Sequence, residues 1–194
     1  MNMNDKDEKK KVPPGQRVVS KKRFPILHYD DVPEINPENF KLKIFGAVEK
    51  KITLTWEELM KLPKVKIKDD FHCVTEWSVL DVEWEGIPYK EIHKLARPKT
   101  DAKFVMFGSY DGYTTNVPLE YLLDDNVILA YKLEGELLHL YHGGPLRLVL
   151  PKLYGWKSAK WVASIEYMTK NRLGYWELRG YHPRGDPWKE ERYG

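Results

Sequence analysis

His142-Gly143-Gly144-Pro145-Leu146-Arg147 and, after a short apolar run ending at Pro151, Tyr154-Gly155-Trp156-Lys157-Ser158-Ala159-Lys160-Trp161 make up the stretch on which the fold turns. The paired glycines let backbone approach a ligand closely; taken alone they read equally as a turn ahead of a strand. In the second half two lysines flank small residues. Small side chains expose backbone N–H groups and lysines supply charge, so the segment suits a phosphate, with a solvated basic loop as the other reading. Residues 146–151 and 160–166 read as strands around it.

Upstream lies Cys73, the sole cysteine of 194 residues, in Phe71-His72-Cys73-Val74-Thr75-Glu76-Trp77-Ser78. A lone cysteine forms neither an internal disulfide nor a four-thiolate metal site. It is either an inert buried thiol, the common state of free cysteine, or a single functional sulfur. A Cys–His hydrolase needs an imidazole within reach of the thiol. His72 is the adjacent residue of a predicted strand and points to the opposite face. The six histidines are scattered singly, without the short repeated spacing of a zinc site.

Composition narrows the class. The length suits one domain. Net charge is +3 from 32 basic and 29 acidic residues, which argues against a nucleic-acid binder relying on bulk charge. Seven tryptophans and twelve tyrosines suit either a pocket for a planar ligand or a well-packed β-rich core. No apolar run reaches the ~20 residues of a membrane span. The first residues lack a signal peptide's apolar stretch, and the expectation is a cytoplasmic protein. Gln16 is the one glutamine, and high charge with few labile amides hints at a thermophilic source.

Residues 1–23 are charge-dense, contain Pro13-Pro14-Gly15 and show no apolar period, so they read as a flexible charged tail on a domain spanning 24–194. Residues 41–46 alternate polar with apolar, as a half-buried strand does. Thr55-Trp56-Glu57-Glu58 is a capping box opening a short helix. A strand over 65–75 carries Cys73. Residues 84–88 read as a turn into a helix over 89–95. Residues 103–107 read as a buried strand, Asp111-Gly112 as a tight turn, 119–123 as one helical turn and 127–133 as a strand. Many short strands and few short helices predict an α+β domain, mostly mixed β-strands.

Together the cysteine segment, the 142–147 block and the 154–161 block resemble the molybdopterin-binding domain of the sulfite oxidase family. The likeness runs from about Phe24 onward and is strongest to that family's short single-domain branch. It implies a molybdenum–molybdopterin cofactor with a single pyranopterin, tungsten being an alternative metal. Cys73 would ligate the metal. His28, Ser109, His142, Arg147, Lys157, Ser158, Ala159 and Lys160 would bind the cofactor. Tyr181, twenty-one residues after Lys160, and Arg179 would serve catalysis, with Trp176 in step and Tyr110 and Trp77 at the mouth. The implied reaction is oxygen-atom transfer to or from a small-molecule substrate, with electrons from a separate electron-transfer partner. The chain departs from sulfite oxidases at Val74-Thr75-Glu76-Trp77, where they place an Asn-Arg-Arg run. It resembles the methionine sulfoxide reductase relatives at Cys73-Val74 and Trp77-Ser78 instead. A neutral S- or N-oxide is therefore expected over sulfite. A monomer is expected, because the sequence after Tyr181 is too short for the family's dimerising domain. A non-catalytic cofactor-binding or interaction domain with an inert cysteine is the rival reading.

Overall fold

Lys41-Leu42-Lys43-Ile44 alternates charge with branched aliphatics, and the backbone is extended there, with both lysines exposed and Leu42 and Ile44 buried. The computed structural model describes residues 11–194. In chain order the strands are β1 (Arg17–Val18), β2 (Lys41–Gly46), β3 (Ile52–Thr55), β4 (Val65–Cys73), β5 (Trp77–Pro88), β6 (Phe104–Ser109), β7 (Thr114–Pro118), β8 (Ile128–Leu133), β9 (Glu136–Leu137), β10 (Arg147–Val149) and β11 (Val162–Met168). The α-helices are α1 (Trp56–Leu59), α2 (Tyr89–Ala96) and α3 (Leu119–Leu122).

The strands make two sheets. One runs β1–β5–β8–β10, with β4 also on β5 and β9 on β8; the other runs β3–β2–β11–β6–β7. In the second sheet β11 lies parallel to β2 and antiparallel to β6. This is the expected α+β class of mixed short strands with few helices. Leu42, Ile44, Phe107 and Ile165 of the second sheet share an apolar cluster with Tyr89 and Ile92 of α2. Val79, Val82, Trp84 and Ile128 form another on the first sheet. Tyr89, Ile92 and Ala96 recur at helical spacing on the buried face of α2. Truncating Ile92 to alanine would cost about 2–5 kcal/mol.

Local chemistry fixes α1. The Thr55 hydroxyl accepts from the Glu58 N–H at 3.3 Å, and the Glu58 carboxylate accepts from the Thr55 N–H at 2.8 Å. Two expectations are corrected. Residues 84–88 are strand rather than turn. Gly86 sits at a register shift between β5 and β8, where an added Cβ would lie 2.4 Å from the Leu129 carbonyl. The glycine marks a bulge and close approach of backbone. The other is the flexible charged tail expected over residues 1–23, which contains a strand. Its first ten residues lie outside the described residues, but β1 pairs in parallel with β5, Arg17 opposite Trp77 and Val18 opposite Ser78. Among the described residues no helix is long and apolar enough to cross a membrane.

Candidate functional site

The last residue of β4 is Cys73, the last of β6 is Ser109 and the first of β10 is Arg147. These strand ends, with the loops that follow them, bound a cavity of about 350 Å³. Phe24, Leu27 and His28 enter from the segment ahead of β2, Trp176 and Tyr181 from the segment after β11. Of the expected site residues, His28, Cys73, Ser109, His142, Arg147, Ser158, Ala159, Lys160 and Tyr181 all line it, as do Trp77 and Trp176.

Cys73 is 8% exposed, and its Sγ lies 3.2 Å from Thr75 Oγ1. Burial pushes the thiol up; the Thr75 hydrogen bonds and Arg192 oppose that shift only in part. A cation in the cavity would reverse it, since a metal-bound sulfur is a thiolate. His72 takes no part in the cavity lining; its Nδ1 is 2.7 Å from Ser78 Oγ, on the far side of the strand. The two neighbours do face opposite ways.

Arg147 is 2% exposed, yet its guanidinium donates to neutral carbonyls, those of His142 at 2.8 Å and Ser158 at 3.2 Å. No carboxylate pairs with it among the described residues. Burial pushes it down to about 9, which leaves it cationic near neutral pH. Lys160 Nζ likewise donates to carbonyls, of Leu27 at 2.8 Å and Tyr141 at 2.7 Å. Burial, and then Arg147, pushes it down to about 7, with Asp111 opposing. The same two causes push His142 down to about 4, so its imidazole is neutral. Cations desolvated without an anion are costly, and an anionic ligand offsets that cost. Ser109 Oγ is buried and has no hydrogen-bond partner among the described residues. Among the described residues no group of three or more His, Cys, Asp or Glu could hold a metal ion. One thiol, two carbonyl-bound basic side chains and an orphaned hydroxyl on a single cavity fit a phosphate-bearing cofactor whose metal takes one protein sulfur. Arg147→Ala and Lys160→Ala are each expected to remove about 1.5–3 kcal/mol of cofactor binding, read as pterin content after purification. Unchanged content in both would place these side chains outside the cofactor's reach.

Three residues expected at the site are elsewhere. Lys157 is fully buried and does not line the cavity. Its ammonium lies 2.5 Å from Glu177 Oε1 and 2.7 Å from the carbonyls of Asn116 and Pro183. Glu177 Oε1 also accepts from Trp156 Nε1 at 3.0 Å, so the ion pair backs the cavity wall instead of meeting a ligand. Arg179 is exposed; its guanidinium stacks 3.6 Å from the Tyr175 ring and donates to the Tyr175 carbonyl. Tyr110 is likewise away from the cavity, its hydroxyl bonded to the Lys41 backbone.

The glycine pair also has a different job. An added Cβ on Gly144 would lie 2.1 Å from the Leu138 carbonyl, and Gly143, at φ +102°, packs on the Lys160 side chain. The pair admits protein rather than ligand, and so seats Lys160. Asp111, Tyr113 and Trp156 line the cavity without having been singled out. Asp111 reads in the sequence as a turn residue, and its carboxylate does accept from the Tyr113 N–H at 3.0 Å.

The family model described as "Oxidoreductase molybdopterin binding domain" matches residues 29–176. The uncharacterized oxidoreductase YuiH of Bacillus subtilis is 42% identical over 188 residues, covering 96% of this chain and 94% of that protein. The protein-methionine-sulfoxide reductase catalytic subunit MsrP of Campylobacter jejuni is 30% identical over 159 residues, covering 73% of this chain and 53% of the subunit. Among solved structures, the sulfane dehydrogenase SoxCD from Paracoccus pantotrophus superposes with a TM-score of 0.68 at 26% identity, covering 74% of this chain and 41% of that one. The chain thus spans nearly all of the Bacillus relative and about half of the reductase subunit.

Proposed function

Because the chain belongs to the oxidoreductase molybdopterin binding domain family, we propose that it is a mononuclear molybdenum oxidoreductase whose substrate is a small neutral S- or N-oxide rather than sulfite. The observation that carries the substrate reading is where the charge sits. Arg147 and Lys160 are tied to the backbone of residues 27, 141, 142 and 158. Around Tyr181 the cavity wall is aromatic: Trp156 and Trp176 each lie 5.0 Å away between ring centres. Thr75 and Trp77 flank the same cavity, and Arg179 faces solvent. A doubly charged anion needs cations to offset its lost solvation, whereas a neutral dipolar oxide needs one or two hydrogen-bond donors.

When bound, the cofactor supplies the two-electron metal chemistry; the protein supplies orientation, electrostatics and shape. The Cys73 thiolate would be the soft protein ligand. Arg147, Lys160, Ser109, Ser158 and the small Ala159 would hold the phosphate and polar groups, with His28 and His142 beside them. Tyr181 would donate a hydrogen bond to the substrate oxygen. Burial raises its phenol, so that proton is retained at neutral pH. Trp77, Trp156 and Trp176 would exclude water. Reducing an oxide takes up two electrons and two protons and releases water, and a separate carrier would deliver the electrons. The Campylobacter relative's designation as a catalytic subunit supports that division.

The test is turnover of a panel of S- and N-oxides by molybdenum-loaded protein with a reduced viologen dye. Dye oxidation that depends on both oxide and protein is the expected result. A fully loaded protein that turns over none of them would be a cofactor carrier instead.

A further inference from the structure

The turn that carries Cys73 is gripped by two segments remote in sequence. Gln16 Nε2 donates to the Cys73 carbonyl at 3.0 Å, joining the Glu76 N–H on the same oxygen. Arg17 N–H donates to the Glu76 carbonyl at 3.0 Å. On the other flank Arg192 donates to the Val74 carbonyl at 2.6 Å and to the Pro14 carbonyl at 3.3 Å, tying the two gripping segments together.

The orientation of Gln16 follows from its partners. A carbonyl only accepts, so the amide nitrogen must face Cys73 and the amide oxygen must face Ser78. Oε1 accepts from the Ser78 hydroxyl at 3.1 Å, and Ser78 Oγ, its hydrogen committed, accepts from His72 Nδ1 at 2.7 Å. Ser78 is 0% exposed and His72 4% exposed, so their bond is shielded from water, while the two bonds of half-buried Gln16 are partly so. It runs from the strand behind the cysteine, through one carboxamide, to the carbonyl of Cys73 itself.

We propose that Gln16 is a positioning residue for Cys73: its carboxamide locks the cysteine turn in the conformation that presents Sγ to the cavity. The inference rests on the reading of Cys73 as the metal's protein ligand for its functional meaning, but not for its test. A ligand sulfur displaced by a fraction of an ångström changes the metal site, so the turn needs fixing by partners outside the cavity. Glutamine suits this place because it donates at one end and accepts at the other. Glutamate has the same shape and can accept from Ser78, but it has no hydrogen to give the Cys73 carbonyl.

The experiment compares the full chain with Gln16→Ala and Gln16→Glu, prepared without cofactor. It measures the rate of Cys73 alkylation by iodoacetamide alongside Tm. Both variants are expected to alkylate about fivefold faster or more, the factor corresponding to a hydrogen bond of about 1 kcal/mol, with Tm lowered by no more than the roughly 2–4 °C that the same loss implies. Rates equal to the parent's would overturn the proposal. So would a parent-like Gln16→Glu beside a fast Gln16→Ala, because the donated bond would then be dispensable. Faster alkylation that tracks a fall in Tm well beyond about 4 °C would reduce Gln16 to general stability and equally overturn it. Since no metal is present, these outcomes stand apart from whether Cys73 ligates one.

Discussion

Replacing Cys73 with serine is expected to abolish oxide turnover while leaving the fold in place. A hydroxyl is a poor substitute for a soft thiolate donor, so the loss should be near total. The structural cost should be small, of order 1 kcal/mol, because serine fits the space and keeps a hydrogen bond to Thr75. Turnover, molybdenum content and Tm on one preparation check this. A well-folded, metal-loaded Cys73→Ser protein with full activity would remove Cys73 from the metal.

Lys157→Ala is expected to have the largest effect on stability. It would strand Glu177, at 0% exposure, as a buried carboxylate without its counter-ion. Breaking such a pair costs about 3–5 kcal/mol, a fall in Tm on the order of 10 °C for a chain of this size. The damage should be partly undone in Lys157→Met/Glu177→Leu, which removes both charges and fills the space. Thermal and urea unfolding of the two variants, prepared without cofactor, measure this. A loss below about 1 kcal/mol in Lys157→Ala would mean that solvent reaches the pair. A cofactor contact, by contrast, would leave the cofactor-free stability untouched.

What could be read from the sequence divides by the range of the interaction involved. The Thr55–Glu58 cap was legible because both partners lie within four residues. The β2 alternation was legible for the same reason, and so was the Asp111-Gly112 turn. β1 was not, because its two residues are held by pairing with Trp77 and Ser78, some sixty positions away. β5 was obscured by Gly86 and Pro88. One accommodates a bulge against β8 and the other occupies the position just ahead of α2, and both residue types otherwise punctuate turns.

The site divides in the same way. The resemblance placed nine residues that do converge on one cavity, because the blocks it rests on are short and ordered. It could not place Lys157, whose partner is Glu177, twenty positions on and invisible as a partner until the chain folds. The Arg179 position was more accessible: Tyr175 stands four residues before it, and a cation on an aromatic ring at that spacing competes with any role in the cavity. Gln16 drew notice only as the single glutamine, because its bonds to Cys73 and Ser78 span 57 and 62 positions.

The most direct measurement is a side-by-side steady-state assay on one molybdenum-loaded sample, comparing reduction of a neutral S- or N-oxide with oxidation of sulfite. With an aromatic wall at Tyr181 and Arg179 turned outward, kcat/KM for the oxide should exceed that for sulfite. A higher kcat/KM for sulfite would contradict the account, and would mean that Arg147, Lys160 or Arg192 provides the charge that a sulfite pocket needs.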